Sequence, residues 1–115
     1  MTLESRDKSL AAARAAQDKK AKDLLILDLQ GLTTIADYFV ICSGDSTTQV
    51  KAIQEQIVSK LKEAGIAPAG IEGLTLSHWV LIDYGDVIVH IFEEQTRKFY
   101  EIEKLWIDAK RIPVE

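Results

Sequence analysis

In this chain of 115 residues, the side chains best placed to do chemistry fall in the stretch WVLIDYGDVIVHIF, positions 79 to 92, which carries Asp83, Asp86 and His90. An imidazole and two carboxylates can ligate a metal ion or share acid–base work, provided that they converge. Convergence depends on the element that holds them. Apolar residues alternate on both sides of Gly85-Asp86, a pair that suits a two-residue turn with glycine first, so the stretch predicts a β-hairpin. Its register pairs Tyr84 with Val87, Asp83 with Ile88, Ile82 with Val89, Leu81 with His90, Val80 with Ile91 and Trp79 with Phe92. Asp83 and His90 become diagonal neighbours about 7 to 8 Å apart, within reach of a direct or water-bridged hydrogen bond. Asp86 belongs to the turn and points elsewhere. The reading is therefore a histidine oriented by an acid on a packed surface, with no metal and no cofactor.

Other reactive residues are as isolated. Cys42 and Ser43 lie at the end of a different apolar run, and nothing in the sequence ties a base to either. Two-metal phosphoryl transfer needs carboxylates two apart on a strand; the one such spacing, Glu101 and Glu103, falls in a predicted helix that points them apart. The segment SGDS could cradle a phosphate at a helix start, which keeps a nucleotidyltransferase-like or phosphohydrolytic enzyme as the alternative function. A turn followed by a helix cap explains the same four residues.

The hairpin's two faces differ. Val80, Ile82, Tyr84, Val87, Val89 and Ile91 form a nearly pure core face, whereas Trp79, Leu81, Asp83, Ile88, His90 and Phe92 combine aromatic anchors with polar groups. The second set has the chemistry of an interaction surface, in which aromatics supply affinity and polar residues fix orientation.

Around the hairpin, LLILDL (24 to 29) and DYFVICSG (37 to 44) predict buried strands. Ser46 to Gln49 has a capping-box pattern, and Val50, Ile53, Ile57, Val58 and Leu61 follow at helical spacing until Gly65. An alanine-rich helix is expected over roughly residues 3 to 20, its thin apolar side packed at the edge of the core or on a partner. Residues 66 to 78 predict a long loop or irregular strand. A last helix is expected over QTRKFYEIEKLW, with Phe99 and Trp106 in the core, and then a frayed tail. The expected layout is thus an N-terminal helix (1–20), an α/β domain (21–107) and a tail (108–115).

Composition narrows the partners. With 47% hydrophobic and 28% charged residues the chain is an ordinary globular domain, and its formal charge of −4 gives no positive field for nucleic acid. Docking on a basic protein component of a ribonucleoprotein remains open to it. A lone cysteine suits a reducing compartment, no run approaches the roughly 18 apolar residues of a membrane span, and Glu4 and Asp7 argue against a leader. A cytoplasmic location with no membrane contact is expected.

Taken together, DYFVICSGDSTTQVKAI, IEG, HWVLIDYGDVIVHIF and RKFYEIEKLW resemble the ribosomal silencing factor family, also called RsfS or Iojap, over roughly residues 20 to 107. The resemblance implies a single α/β domain with a mixed sheet flanked by helices, nucleotidyltransferase-like but without the catalytic carboxylates. It implies a non-enzymatic repressor that binds a large-subunit ribosomal protein at the intersubunit face and blocks subunit joining, and a homodimer when free. Carried over by motif, the docking residues are Glu72, Trp79, Asp83, Tyr84, Asp86, His90, Arg97 and Tyr100. Tyr84 sits on the core face by register but next to the turn, close enough to reach the rim, and Arg97 has a competing partner in Glu101, four residues on.

Overall fold

The computed structural model describes residues 3 to 114; positions 1 and 2 of the expected N-terminal segment and position 115 of the expected tail lie outside the described residues. Strands β1 (Lys22–Asp28), β2 (Tyr38–Gly44), β3 (Gly70–Glu72), β4 (Trp79–Asp83), β5 (Val87–Glu93) and β6 (Lys110–Arg111) form one sheet in the order β3-β4-β5-β2-β1-β6. β2 and β5 run parallel and the other neighbours antiparallel, giving the mixed α/β sheet that the resemblance implies. The β4–β5 register is the one that the hairpin pattern predicts, from Trp79 opposite Phe92 to Asp83 opposite Ile88. Gly85 takes a φ of +86°, the conformation for which the turn requires glycine.

Helices α1 (Ser5–Asp18) and α2 (Thr47–Glu63) cover one face of the sheet. Ser46 accepts the Gln49 N–H at 3.2 Å, while the Gln49 side chain accepts the Asp45 N–H at 2.6 Å and donates to the carbonyls of Lys19 and Lys20. One glutamine thus caps the start of α2 and satisfies the end of α1. At the far end of α2, Gly65 at φ +81° lets the N–H groups of Gly65 and Ile66 return to the Lys62 and Leu61 carbonyls.

Three expectations need correction. The alanine side of α1 is not peripheral: Ala12, Ala13 and Ala16 are fully buried among Val50, Ile53 and Val89, because residues this small let the helix lie close against both α2 and the sheet. Over residues 110 to 112 the expected tail is not frayed. Lys110 and Arg111 pair with Asp28 and Leu27, the Ile112 N–H donates to the Ile26 carbonyl, and Ile112 is buried. The last helix is not continuous either, since α3 (Glu94–Tyr100) stops where Glu101 adopts a left-handed conformation, φ 46° and ψ 49°, and a 3₁₀ turn (Ile102–Trp106) follows. With the helix broken there, Phe99 and Ile102 no longer share a side: Ile102 is buried, Phe99 is 80% exposed, and Trp106 is half-buried against Phe39.

The sheet's second face carries a smaller core of Leu27, Leu29, Phe39, Ile41, Phe92 and Ile102. Its cover comes from the β1–β2 connection and the 3₁₀ segment, and it lies over β1, β2 and β5. Across β4 and β3 the cover is incomplete: Trp79, Leu81 and Asp83 are half-buried and Glu72 is exposed.

Candidate docking site

Register builds the site from below. Glu72, Leu81, His90 and Ile41 lie side by side across β3, β4, β5 and β2, so their side chains share the second face. Trp79 stacks on Phe92, its cross-strand partner, with ring centroids 4.8 Å apart, and α3 brings Tyr100 against it at 5.0 Å with the rings tilted by 45°. Aromatic pairs at these separations attract beyond the area that they bury. The indole N–H donates to Nδ1 of His90 at 3.1 Å.

The connection from β3 to β4 completes the surface. Gly73, at φ +88°, passes so close to the Trp79 backbone that an added Cβ would lie 2.1 Å from its carbonyl oxygen. Ser77, fully buried, donates its N–H to the Gly73 carbonyl and its hydroxyl to the Leu74 carbonyl, which closes the loop on itself. Leu74 and Leu76 are turned outward as a result. Between this loop and α3 runs a groove of about 340 Å³ lined by Gly73, Thr75, Leu76, His78, Trp79, Thr96 and Tyr100. Leu76 is 70% exposed and Tyr100 52%. Leu76 and Tyr100 beside one half-buried indole have the pattern of an anchor with an apolar rim.

Of the eight candidate residues, Glu72, Trp79, Asp83 and Tyr100 reach this open part of the face. His90 lies directly beneath it, 5% exposed, with Phe39 edge-on at 4.5 Å. Burial drives its pKa down to about 4, so the ring is neutral at physiological pH. The expected Asp83–His90 bond does not form. Asp83 instead accepts the Gly85 N–H at 2.7 Å and stabilises the turn, leaving His90 to the indole.

Three candidates point elsewhere. Tyr84 follows its register to the helix-covered face and is buried there, which pushes its phenol up to about 12, so it does not reach the rim. Asp86 binds the Lys8 ammonium of α1 at 2.7 Å, and its carbonyl accepts the N–H groups of Asp37 and Tyr38. Arg97 is buried and donates to the Ser43 hydroxyl at 2.8 Å and to Glu103 at 3.2 Å, not to Glu101. Glu101 pairs with Lys104.

The groups considered for catalysis are buried or engaged in structural hydrogen bonds. Cys42 is fully buried, which pushes its thiol up to about 12; Ser43 is engaged by Arg97 and Ser46 by the cap of α2. Among the described residues no three of His, Cys, Asp and Glu gather as metal ligands would. Sequence reasoning missed Leu76 and Phe99. Leu76 had a signal, an apolar residue in a glycine-bounded loop with no periodicity to bury it; the exposure of Phe99 depends on the break at Glu101, for which no glycine or proline gives notice.

Residues 2–115 match the family model described as "Ribosomal silencing factor during starvation". The chain belongs to the ribosomal silencing factor family. Within it, RsfS of Bacillus subtilis is 48% identical over 98 residues, covering 85% of this chain and 83% of that one. RsfS of Chromobacterium violaceum is 41% identical over 104 residues, 90% of this chain and 85% of the relative. A chloroplastic Iojap protein of Zea mays is more distant, at 32% identity over 90% of this chain and 45% of its own. The fold matches a crystal structure of a Chromobacterium violaceum protein with a TM-score of 0.89 at 38% identity, covering 97% and 92% of the two chains. One from Bacillus halodurans gives 0.83 at 37% identity, covering 95% and 99%.

Proposed function

We propose that this silencing-factor domain represses translation without chemistry: it binds the large ribosomal subunit through a ribosomal protein at the intersubunit face and keeps the small subunit from joining. Family membership supports the ribosomal target. The observation that carries the mechanism is the uncovered aromatic surface on β4, where Trp79 and Tyr100 form an anchor beside Leu76. A body of 33 × 32 × 26 Å needs only occupancy to act, because it excludes any surface that must come within that distance. The negative net charge favours encounter with a basic ribosomal protein over contact with rRNA phosphates. No cofactor enters this scheme.

The site of action is the cytoplasm, and no helix among the described residues is long and apolar enough to cross a membrane. The free protein is proposed to be a homodimer, which sedimentation equilibrium checks. Mixing large and small subunits with saturating protein and resolving them on a sucrose gradient tests the function: separated subunits are expected. Unimpaired joining, with the protein bound or not, overturns the steric mechanism.

A further inference from the structure

His90 is a polar side chain in a place that apolar packing alone would fill better. It is 5% exposed, has the Phe39 ring edge-on at 4.5 Å and the Phe92 ring at 6.3 Å, and one of its two ring nitrogens, Nε2, meets no hydrogen-bonding group of the protein. A buried polar atom left unpaired is unfavourable, whereas a phenyl ring of similar size carries no such atom. The other nitrogen faces Trp79. An indole N–H can only donate, so the 3.1 Å contact requires Nδ1 to be the acceptor and places the ring proton on Nε2. The unpaired Nε2–H is thus a consequence of the indole bond. Phe92, stacked on the indole, and Tyr100, tilted against it, restrict the tilt of the ring but leave it free to slide or flip about χ2, because contact with a π-face has no direction in the plane of the ring. A single in-plane hydrogen bond removes that freedom.

We infer that His90 is a positioning residue: from beneath the sheet surface it accepts the indole N–H and holds Trp79 in the one rotamer that a partner meets. The inference rests on the reading of Trp79 as a docking anchor. It assigns His90 no contact with the partner.

Nitrogen-15 NMR of the two tryptophan indoles, with Trp79 identified by its loss in Trp79→Phe, separates the two ideas. In the wild type the Trp79 indole proton is expected downfield of that of Trp106 and slow to exchange with solvent. His90→Phe should move it upfield and speed its exchange, and His90→Gln, whose side-chain carbonyl can accept, should restore much of both. Binding to purified large ribosomal subunits should fall about tenfold in His90→Phe, the worth of one neutral hydrogen bond, and recover in His90→Gln. In the Trp79→Phe background, His90→Phe should have no further effect on binding. An indole signal unmoved by His90→Phe overturns the positioning role, whatever binding does. Should His90→Phe fail to fold, an indole proton in His90→Gln that exchanges at the rate of an unbonded one overturns it equally. Moved signals with binding unchanged in both Trp79→Phe and Trp79→Ala would leave the hydrogen bond standing and sink the docking reading instead.

Discussion

Trp79 is the proposed anchor because of what surrounds it. Phe92 stacks on it, Tyr100 tilts against it, the His90 imidazole binds its edge, and the remaining surface opens to a groove rimmed by Leu76. An anchor already held in position loses little entropy on binding, so truncating it removes contact area and preorganisation together. Trp79→Ala is expected to weaken large-subunit binding by about 2 kcal/mol or more, as measured by co-sedimentation at graded concentrations. The histidine beneath makes a separate prediction about stability. Its folded pKa, about 4, lies below the ordinary value of 6.5, so the unfolded chain binds more protons between these limits. The sign follows: stability is full above pH 6.5 and declines as pH falls toward 4. Between pH 7 and pH 5 the wild type should lose about 2 kcal/mol more than His90→Phe in urea titrations, a difference in which the other titrating groups cancel. Equal losses would show that the imidazole is not held neutral by the fold. Arg97 shows another arrangement, a buried guanidinium paired with Glu103 and hydrogen-bonded to the Ser43 hydroxyl, where it joins α3 to the end of β2.

Among the elements, the loop from β3 to β4 does more than connect. Only glycine fits at position 73, both because φ is +88° and because the Trp79 carbonyl lies where a Cβ would go. Gly73→Ala must therefore push the loop off the strand that carries the anchor. Destabilisation of about 2 kcal/mol is expected from the strain alone, read as a lower urea midpoint, together with a loss of large-subunit binding at temperatures where the variant is still folded. Full binding in a folded Gly73→Ala would mean that the loop does not shape the site. α3 acts in a related way. It brings Tyr100 against the indole, and its termination at Glu101 separates the exposed Phe99 from the buried Ile102.

The molecule as a whole has two unequal faces. Helices α1 and α2 seal one of them, and Lys8 fastens α1 to the Asp86 turn at 2.7 Å, which makes this side a rigid back for the hairpin. The opposite face is sealed only over β1, β2 and β5, so its uncovered edge at β4 and β3 is where a partner can add area. With a net charge of −4 spread over a small body, association with a basic ribosomal protein should slow as salt rises from about 0.05 to 0.5 M, where the screening length shortens to a few ångströms. Stopped-flow rates measured across that range check this. A rate that rose with salt would point to hydrophobic encounter alone.

Much of this architecture could be read from residue order because it depends on local periodicity. Alternation about Gly85-Asp86 specified the hairpin register, and with it which residues share a face with Trp79; the Ser46–Gln49 cap and Gly65 bounded α2. Membership of the family was likewise legible from motifs in order along the chain. What no window of sequence contains is the identity of a distant neighbour. The tertiary fold decided that Asp86 meets Lys8, that Arg97 meets Ser43 and that His90 serves the indole in place of Asp83, because each contact depends on how separate elements stack. It also decided exposure. Periodicity tells which residues lie on one side of a strand or helix, but only packing determines whether that side is covered, and here the cover stops short of Trp79.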